Sequence, residues 1–219
     1  MTNSFNFAAS ILGAICIVLA TLISFDANAA KGKLSDIRSG DLIFHQSKGP
    51  QANAILEATG SSWSHVGIIF EDKAATGGWL VAEASMPVRV VSLASFIQRG
   101  RNQQYRIYRA RGFQPSQVPA LRAAVDLEMG KPYDIYFEWS DTAIYCSELT
   151  YKAFMTAASI ELGTVQKFSD LKLDGPYVQA MIADRLTHTG RKLNLNEPIV
   201  TPINQMKDSD LDLIVQTGP

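Results

Sequence analysis

The chain has 219 residues, 47% of them apolar, with 20 Lys and Arg against 21 Asp and Glu. That length and apolar content suffice for one sizeable core. The charge balance, without a long run of like charge, excludes a nucleic-acid arm or a polybasic patch for acidic lipid.

From Phe7 to Ile23 the sequence is apolar and uncharged, and Ala27-Asn28-Ala29 follows with the small-x-small pattern of a signal-peptidase site. Residues 1–29 are therefore expected to be a signal peptide, or an uncleaved anchor, since no Lys or Arg precedes Lys31 as a basic leader. Export to the periplasm or beyond follows, with residues 7–23 the only part expected to meet a membrane. Residues 31–219 form the folded domain. Cys16 leaves with the leader, and Ile15 before it is too bulky for a lipidation signal. Cys146 is then unpaired in an exported chain, which points either to a reactive thiol or to a small buried hydrophobe.

In chain order, Asp41 to Phe44 is expected as a short strand and Pro50 to Thr59 as a helix stopped by Gly60. His65 to Phe70 and Trp79 to Ala84 read as strands joined through a turn at Gly77-Gly78. Val88 to Val91 and Tyr105 to Tyr108 are further strands, with Ser92 capping a helix to Arg99 between them. Val118, Leu121, Val125 and Met129 mark a helix over 115–129, closed by Gly130. Cys146 to Ala158 and Tyr177 to Leu186 are expected helices, and Pro198 to Pro202 an extended segment. The interspersed elements indicate an α+β domain.

Cys146 falls on the first turn of its helix, where unpaired N–H groups and the helix dipole favour a thiolate and can hold an oxyanion. Three histidines remain after the leader. His188 lies in a polar, turn-like stretch and reads as a solvated surface group, while His45 ends the first strand and stays a contender for the base. His65 is preferred, because alternation puts His65, Gly67 and Ile69 on one face with room beside the glycine. Val81, Glu83 and Ser85 share a face of the next strand. A hairpin folded symmetrically about Ala74 sets Glu83 directly opposite His65, within reach of its imidazole. The alternative for Glu83 is a solvent-facing strand residue.

Gly40-Asp41-Leu42-Ile43-Phe44, Ser64-His65-Val66-Gly67-Ile68, Val81-Ala82-Glu83-Ala84, Gly130-Lys131-Pro132-Tyr133-Asp134 and Tyr145-Cys146-Ser147-Glu148-Leu149 occur in that order. Together they resemble the YiiX/YaeF group of the NlpC superfamily, over roughly Ile37 to Pro202. The resemblance implies a circularly permuted papain-like fold, an antiparallel sheet packed against helices, with the His strand preceding the Cys helix. It implies Cys146 as nucleophile, His65 as base and Glu83 as third member, with Tyr133 and Tyr145 flanking the pocket as substrate or oxyanion contacts or as packing. The expected activity is hydrolysis of a peptide or cell-wall amide through a thioester. Lipid acyl hydrolysis or transfer is the second enzymatic reading, and a non-catalytic binding module the third. Neither a cofactor nor a metal is expected, since no zinc-type ligand spacing occurs.

Overall fold

The computed structural model describes residues 32–74 and 78–218. In chain order they form β1 (Leu42–His45), α1 (Pro50–Thr59), β2 (His65–Asp72), β3 (Gly78–Glu83), β4 (Arg89–Ser92), α2 (Leu93–Arg99) and β5 (Tyr105–Ala110). There follow α3 (Val118–Asp126), α4 (Cys146–Ala158), β6 (Gln166–Lys167), α5 (Pro176–Thr189), β7 (Pro198–Ile199), α6 (Pro202–Met206) and β8 (Leu211–Gln216). The expected leader lies outside the described residues. Among those described, no helix is long and apolar enough to cross a membrane.

The main sheet is antiparallel in the order β4-β3-β2-β1-β5-β8. Strand alternation turns Leu42, Phe44, Val66, Ile68 and Phe70 to one face, where Leu121 and Val125 of α3 and Phe154 of α4 complete a core. Ile43, Ile69, Val81 and Ile107 turn to the other, covered by Leu93 and Phe96 of α2. With both faces buried, β2 reads as a nearly continuous apolar run. Gly67 is required by contact: a Cβ there would stand 2.5 Å from Val81 Cγ1 and 2.9 Å from the Ala82 oxygen. At the start of β1, buried Asp41 takes a two-pronged ion pair from Arg109 at 2.7 and 2.8 Å. The sheet and its helices make the α+β arrangement expected from the sequence.

Several local expectations change. The β2–β3 hairpin pairs Ile68 with Ala82 and Phe70 with Leu80, so it is centred one residue beyond Ala74. Glu83 therefore lies beside Gly67 rather than directly opposite His65. Because the displacement is two residues, an even number, Glu83 stays on the face of His65. The expected helix over 115–129 opens as a 3-10 turn at Pro115–Gln117 and its α-helical part ends at Asp126. Pro115 and Pro119 have no N–H to give, which confines them to the opening turns, and Met129 falls outside the helix. His188 sits in the last turn of α5 rather than in a loop; it is exposed and hydrogen-bonded through Nδ1 to the Asp184 backbone oxygen. Pro202 opens α6 after Thr201, whose hydroxyl accepts the Asn204 N–H. Strand β8, which pairs with β5, has no counterpart in the sequence reading.

Candidate active site

Cys146 is the first residue of α4, and its surroundings are tied together by backbone and side-chain bonds. The Ile144 N–H donates to the Pro132 oxygen at 3.1 Å and the Asp134 N–H to the Ile144 oxygen at 3.2 Å, which fixes Tyr133 alongside the helix start. The Ser147 hydroxyl donates to the Val200 oxygen at 2.9 Å, and the buried Gln205 amide donates to the Ser147 oxygen at 3.0 Å. Tyr145 is buried, and its hydroxyl accepts the Val200 N–H at 3.2 Å. The segment after α5 thus braces the first turn of α4.

The thiol lies over the beginning of β2, 4.0 Å from the Ser64 oxygen, with the Tyr133 hydroxyl directed at it from 3.9 Å. His65, at the start of β2, contacts Glu83 Oε2 through Nε2 at 2.8 Å, which leaves Nδ1 for the sulfur. Glu83 is fully buried, which excludes the solvent-facing alternative. Its other oxygen receives Arg99 at 2.6 Å and Arg89 at 3.0 Å. Register explains one partner, since Glu83 pairs with Arg89 across β3 and β4. The other arrives at the end of α2. His65, Glu83 and Cys146 are therefore brought together, and Tyr133 with them, while Tyr145 is held by Val200 behind the helix start.

Charge follows from this packing. Burial pushes the Cys146 thiol up, but its hydrogen bond and charge interaction with His65 more than reverse this and leave it below the ordinary thiol value. Burial lowers His65, yet bonds to Cys146 and Glu83 raise it to about 9. Burial raises Glu83, and His65 and then Arg99 bring it down to about 2. The arrangement favours thiolate, imidazolium and carboxylate together, a state in which the thiol is nucleophilic. Tyr133 is pushed well above 10, first by burial and then by the charge on Cys146, so it remains a proton donor.

His45, the other contender for the base, pairs across β1 and β2 with His65, and the two rings are 5.1 Å apart. Burial first, then the charges of His65 and Arg99, lower it to about 3. It is a neutral ring stacked on Phe96 at 4.4 Å, and its Nε2 faces Ser47 at 3.3 Å. Arg89, Arg99 and the carboxyl of Glu148 were not foreseen. Arg89 was legible once Glu83 had been placed in a hairpin, whereas Arg99 becomes visible only when α2 is packed; Glu148 lies in the first turn of α4 with local partners, the Tyr145 N–H and Lys152, and only its burial comes from packing.

Two cavities meet at this site. A narrow apolar chamber is walled by α1, α5 and the β7 region and reaches Cys146. A roomier polar cleft reaches His65 and Tyr133 and carries Lys48, Gln51 and Arg99. Ile55 borders both.

A profile of permuted papain-like amidase enzymes, the YaeF/YiiX, C92 family, matches residues 36–215. The uncharacterized protein YiiX of Escherichia coli K12 is 32% identical over 188 residues, 85% of this chain and 87% of that protein. A crystal structure of yiiX from Escherichia coli, described as a metalloprotein, superposes with a TM-score of 0.76 at 31% identity, covering 84% of this chain and 99% of that one. Among the described residues of this chain, no three His, Cys, Asp or Glu side chains gather as a metal site. No donor set among the described residues fits a resident metal ion. With its sheet order, its buried Cys, His and Glu, and a match over most of its length, the chain belongs to the YaeF/YiiX family of permuted papain-like amidases.

Proposed function

We propose that the protein is a cysteine amidase in which Cys146 is the nucleophile, His65 the acid–base and Glu83 the residue that positions the imidazole. One observation carries the reading: a buried His65 stands between a thiol at a helix start and a carboxylate 2.8 Å from its far nitrogen. The thiolate attacks the carbonyl carbon, and the new oxyanion receives the Tyr133 hydroxyl and the Cys146 N–H, which the helix itself leaves without a partner. As the C–N bond breaks, the His65 imidazolium gives its proton to the leaving nitrogen. Water then attacks the thioester while His65 takes its proton, and the C–S bond breaks to release the acid and restore the ion pair. Glu83 holds the ring in the orientation that both proton transfers need.

The test is the pH profile of iodoacetamide labelling at Cys146; a buried thiol reacts slowly for steric reasons, so the midpoint rather than the rate is diagnostic. Wild type should show a midpoint well below the free-thiol value of about 8.5. His65→Ala should move it to that value or higher. A wild-type midpoint at or above the free-thiol value supports a binding module with an inert cysteine and sinks the amidase reading. We place this chemistry outside the cytoplasm on the strength of residues 7–23 and Ala27-Asn28-Ala29. Sequencing the N-terminus of the fractionated protein tests that placement, and an intact Met1 in a soluble cytoplasmic fraction refutes it.

A further inference from the structure

The scissile amide nitrogen carries a hydrogen that Cys146, His65, Glu83 and Tyr133 leave without an acceptor. In the planar amide the nitrogen lone pair is delocalised into the carbonyl. Once the thiolate has added, the nitrogen is pyramidal, and its lone pair must turn toward the His65 imidazolium to take the proton. The N–H is thereby turned away from His65, into the polar cleft. An acceptor waiting there favours the transition state over the planar ground state. An ester has no such hydrogen, so an acceptor at this place separates an amidase from an esterase.

Among the described residues, no Asp or Glu lines the cleft; Ser47 does, together with His65 and Tyr133. The Ser47 N–H donates to the Ser64 hydroxyl at 2.8 Å and the Ser64 N–H to the His45 oxygen at 3.2 Å. The Gln46 oxygen beside it receives the Arg101 N–H at 2.8 Å, so this stretch is tied both to β2 and to the end of α2. The Ser47 hydroxyl lies 3.3 Å from Nε2 of His45, a buried ring stacked between Phe96 and the His65 side of the sheet. His45 Nδ1 faces the end of α2, where a Cβ on Gly100 would stand 3.0 Å from it. Nδ1 is buried without a hydrogen bond, though the Phe96 backbone oxygen lies close enough to draw the ring's pKa up, weakly against the burial and cations that push it down. A proton on Nδ1 leaves Nε2 an acceptor, which takes the Ser47 proton and turns the oxygen's lone pairs outward into the cleft. A buried ring that neither attacks nor carries a proton for the thiol thus fixes the direction of one hydroxyl.

We propose that the Ser47 hydroxyl oxygen accepts the N–H of the scissile amide as the C–N bond breaks, and that His45 is the positioning residue that turns the hydroxyl to do so. This rests on the amidase reading and deepens it. As C–N breaks, the His65 proton passes to the nitrogen, while Ser47 and His45 keep the protons they hold.

The test compares two substrates with one acyl group: butyryl p-nitroanilide, which has the N–H, and p-nitrophenyl butyrate, which lacks it. For both, kcat/KM reports acylation of Cys146. Ser47→Ala should lower the anilide-to-ester ratio of kcat/KM about tenfold, the loss expected for one neutral hydrogen bond made in the transition state. Ser47→Thr, which keeps the hydroxyl, should hold the ratio near the wild-type value. His45→Phe, which keeps the stack on Phe96, should lower the ratio in the same direction, and the double variant should fall no further than Ser47→Ala. An unchanged ratio in Ser47→Ala, whether both rates hold or both fall together, overturns the assignment, and the amidase reading then stands on wild-type hydrolysis of the anilide. Wild-type protein that cleaves the ester and never the anilide overturns the amidase reading and this inference with it.

Discussion

Replacing Glu83 by Gln keeps the side chain's shape and removes its charge from between His65, Arg89 and Arg99. Raising the imidazole from 6.5 to about 9 amounts to about 3.4 kcal/mol of preference for the charged ring, at about 1.4 kcal/mol per pH unit. That preference is shared between Cys146 and Glu83 and is net of burial, which opposes it. A hydrogen bond to a charged group contributes about 1.5–3 kcal/mol, so Glu83→Gln should weaken the imidazolium, and with it the thiolate, by about one to two pH units. The two arginines reinforce the loss, since their charges then face His65 uncompensated. In practice the Cys146 labelling midpoint rises by that amount, and labelling at a pH below the wild-type midpoint falls about tenfold to a hundredfold. The assay is iodoacetamide labelling read by mass spectrometry from pH 4 to 10, with a circular-dichroism melt to show that the variant is folded. A folded Glu83→Gln protein whose midpoint stays within about 0.3 of wild type would refute the claim that this carboxylate supports the ion pair.

Tyr133→Phe should slow acylation by p-nitrophenyl esters about a hundredfold, as loss of one oxyanion donor does, and should raise the labelling midpoint less than Glu83→Gln does, since its hydroxyl is the smaller of the groups that hold the thiol down; unchanged acylation would reduce Tyr133 to packing. Gly67→Ala should destabilise the protein by about 1–3 kcal/mol in urea, because its Cβ would enter the space of Val81 and the Ala82 oxygen. A neutral result would mean that β2 and β3 separate freely. Glu148 is fully buried, and burial raises it to about 7 despite Lys152 at 2.8 Å. Its folded value lies above its unfolded one, so its contribution is present below about 4.5 and is lost as pH rises through about 7. Glu148→Gln, which can still accept the Tyr145 N–H, should therefore gain stability relative to wild type at pH 8 compared with pH 5; an equal difference at both would contradict the assignment. The catalytic pair has its own window. Glu83, depressed to about 2, stabilises above about 4.5 and loses this as pH falls toward 2, while His65, raised to about 9, stabilises below 6.5 and loses this as pH rises through 9. Thermal melts across that range should differ between wild type and His65→Ala most strongly near pH 5 to 6 and least above about 9, and a constant difference would count against the raised imidazole.

Much of the scaffold was legible because it is local. The limits of α4 follow from the sequence of Cys146 to Ala158, and the Ser92 cap appears as an Oγ accepting the Ser95 N–H at 3.2 Å. Alternation alone put His65 with Gly67 and Glu83 with Val81. The direct opposition of His65 and Glu83 was not legible, since turn geometry sets register and the sequence offers more than one way to close the turn. The two side chains still meet because strands repeat every two residues, so the displacement kept both on one face. His188 was misplaced for a related reason: Thr-His-Thr-Gly has weak helix propensity, and α5 carries it on packing against α1.

The sequence by itself determined which residue types could do chemistry, their order along the chain and the family to which that order belongs. Periodicity and caps act over a few residues, and motifs are linear. Only the tertiary structure decided that Arg89 and Arg99 share the far oxygen of Glu83, that His45 is buried against Phe96 with its pKa pushed down to about 3, and that Cys146 opens onto an apolar chamber while His65 faces a polar cleft. These depend on burial and on charges brought together from distant segments, which no local pattern encodes, because solvation and Coulomb energies are set by what surrounds a side chain in space.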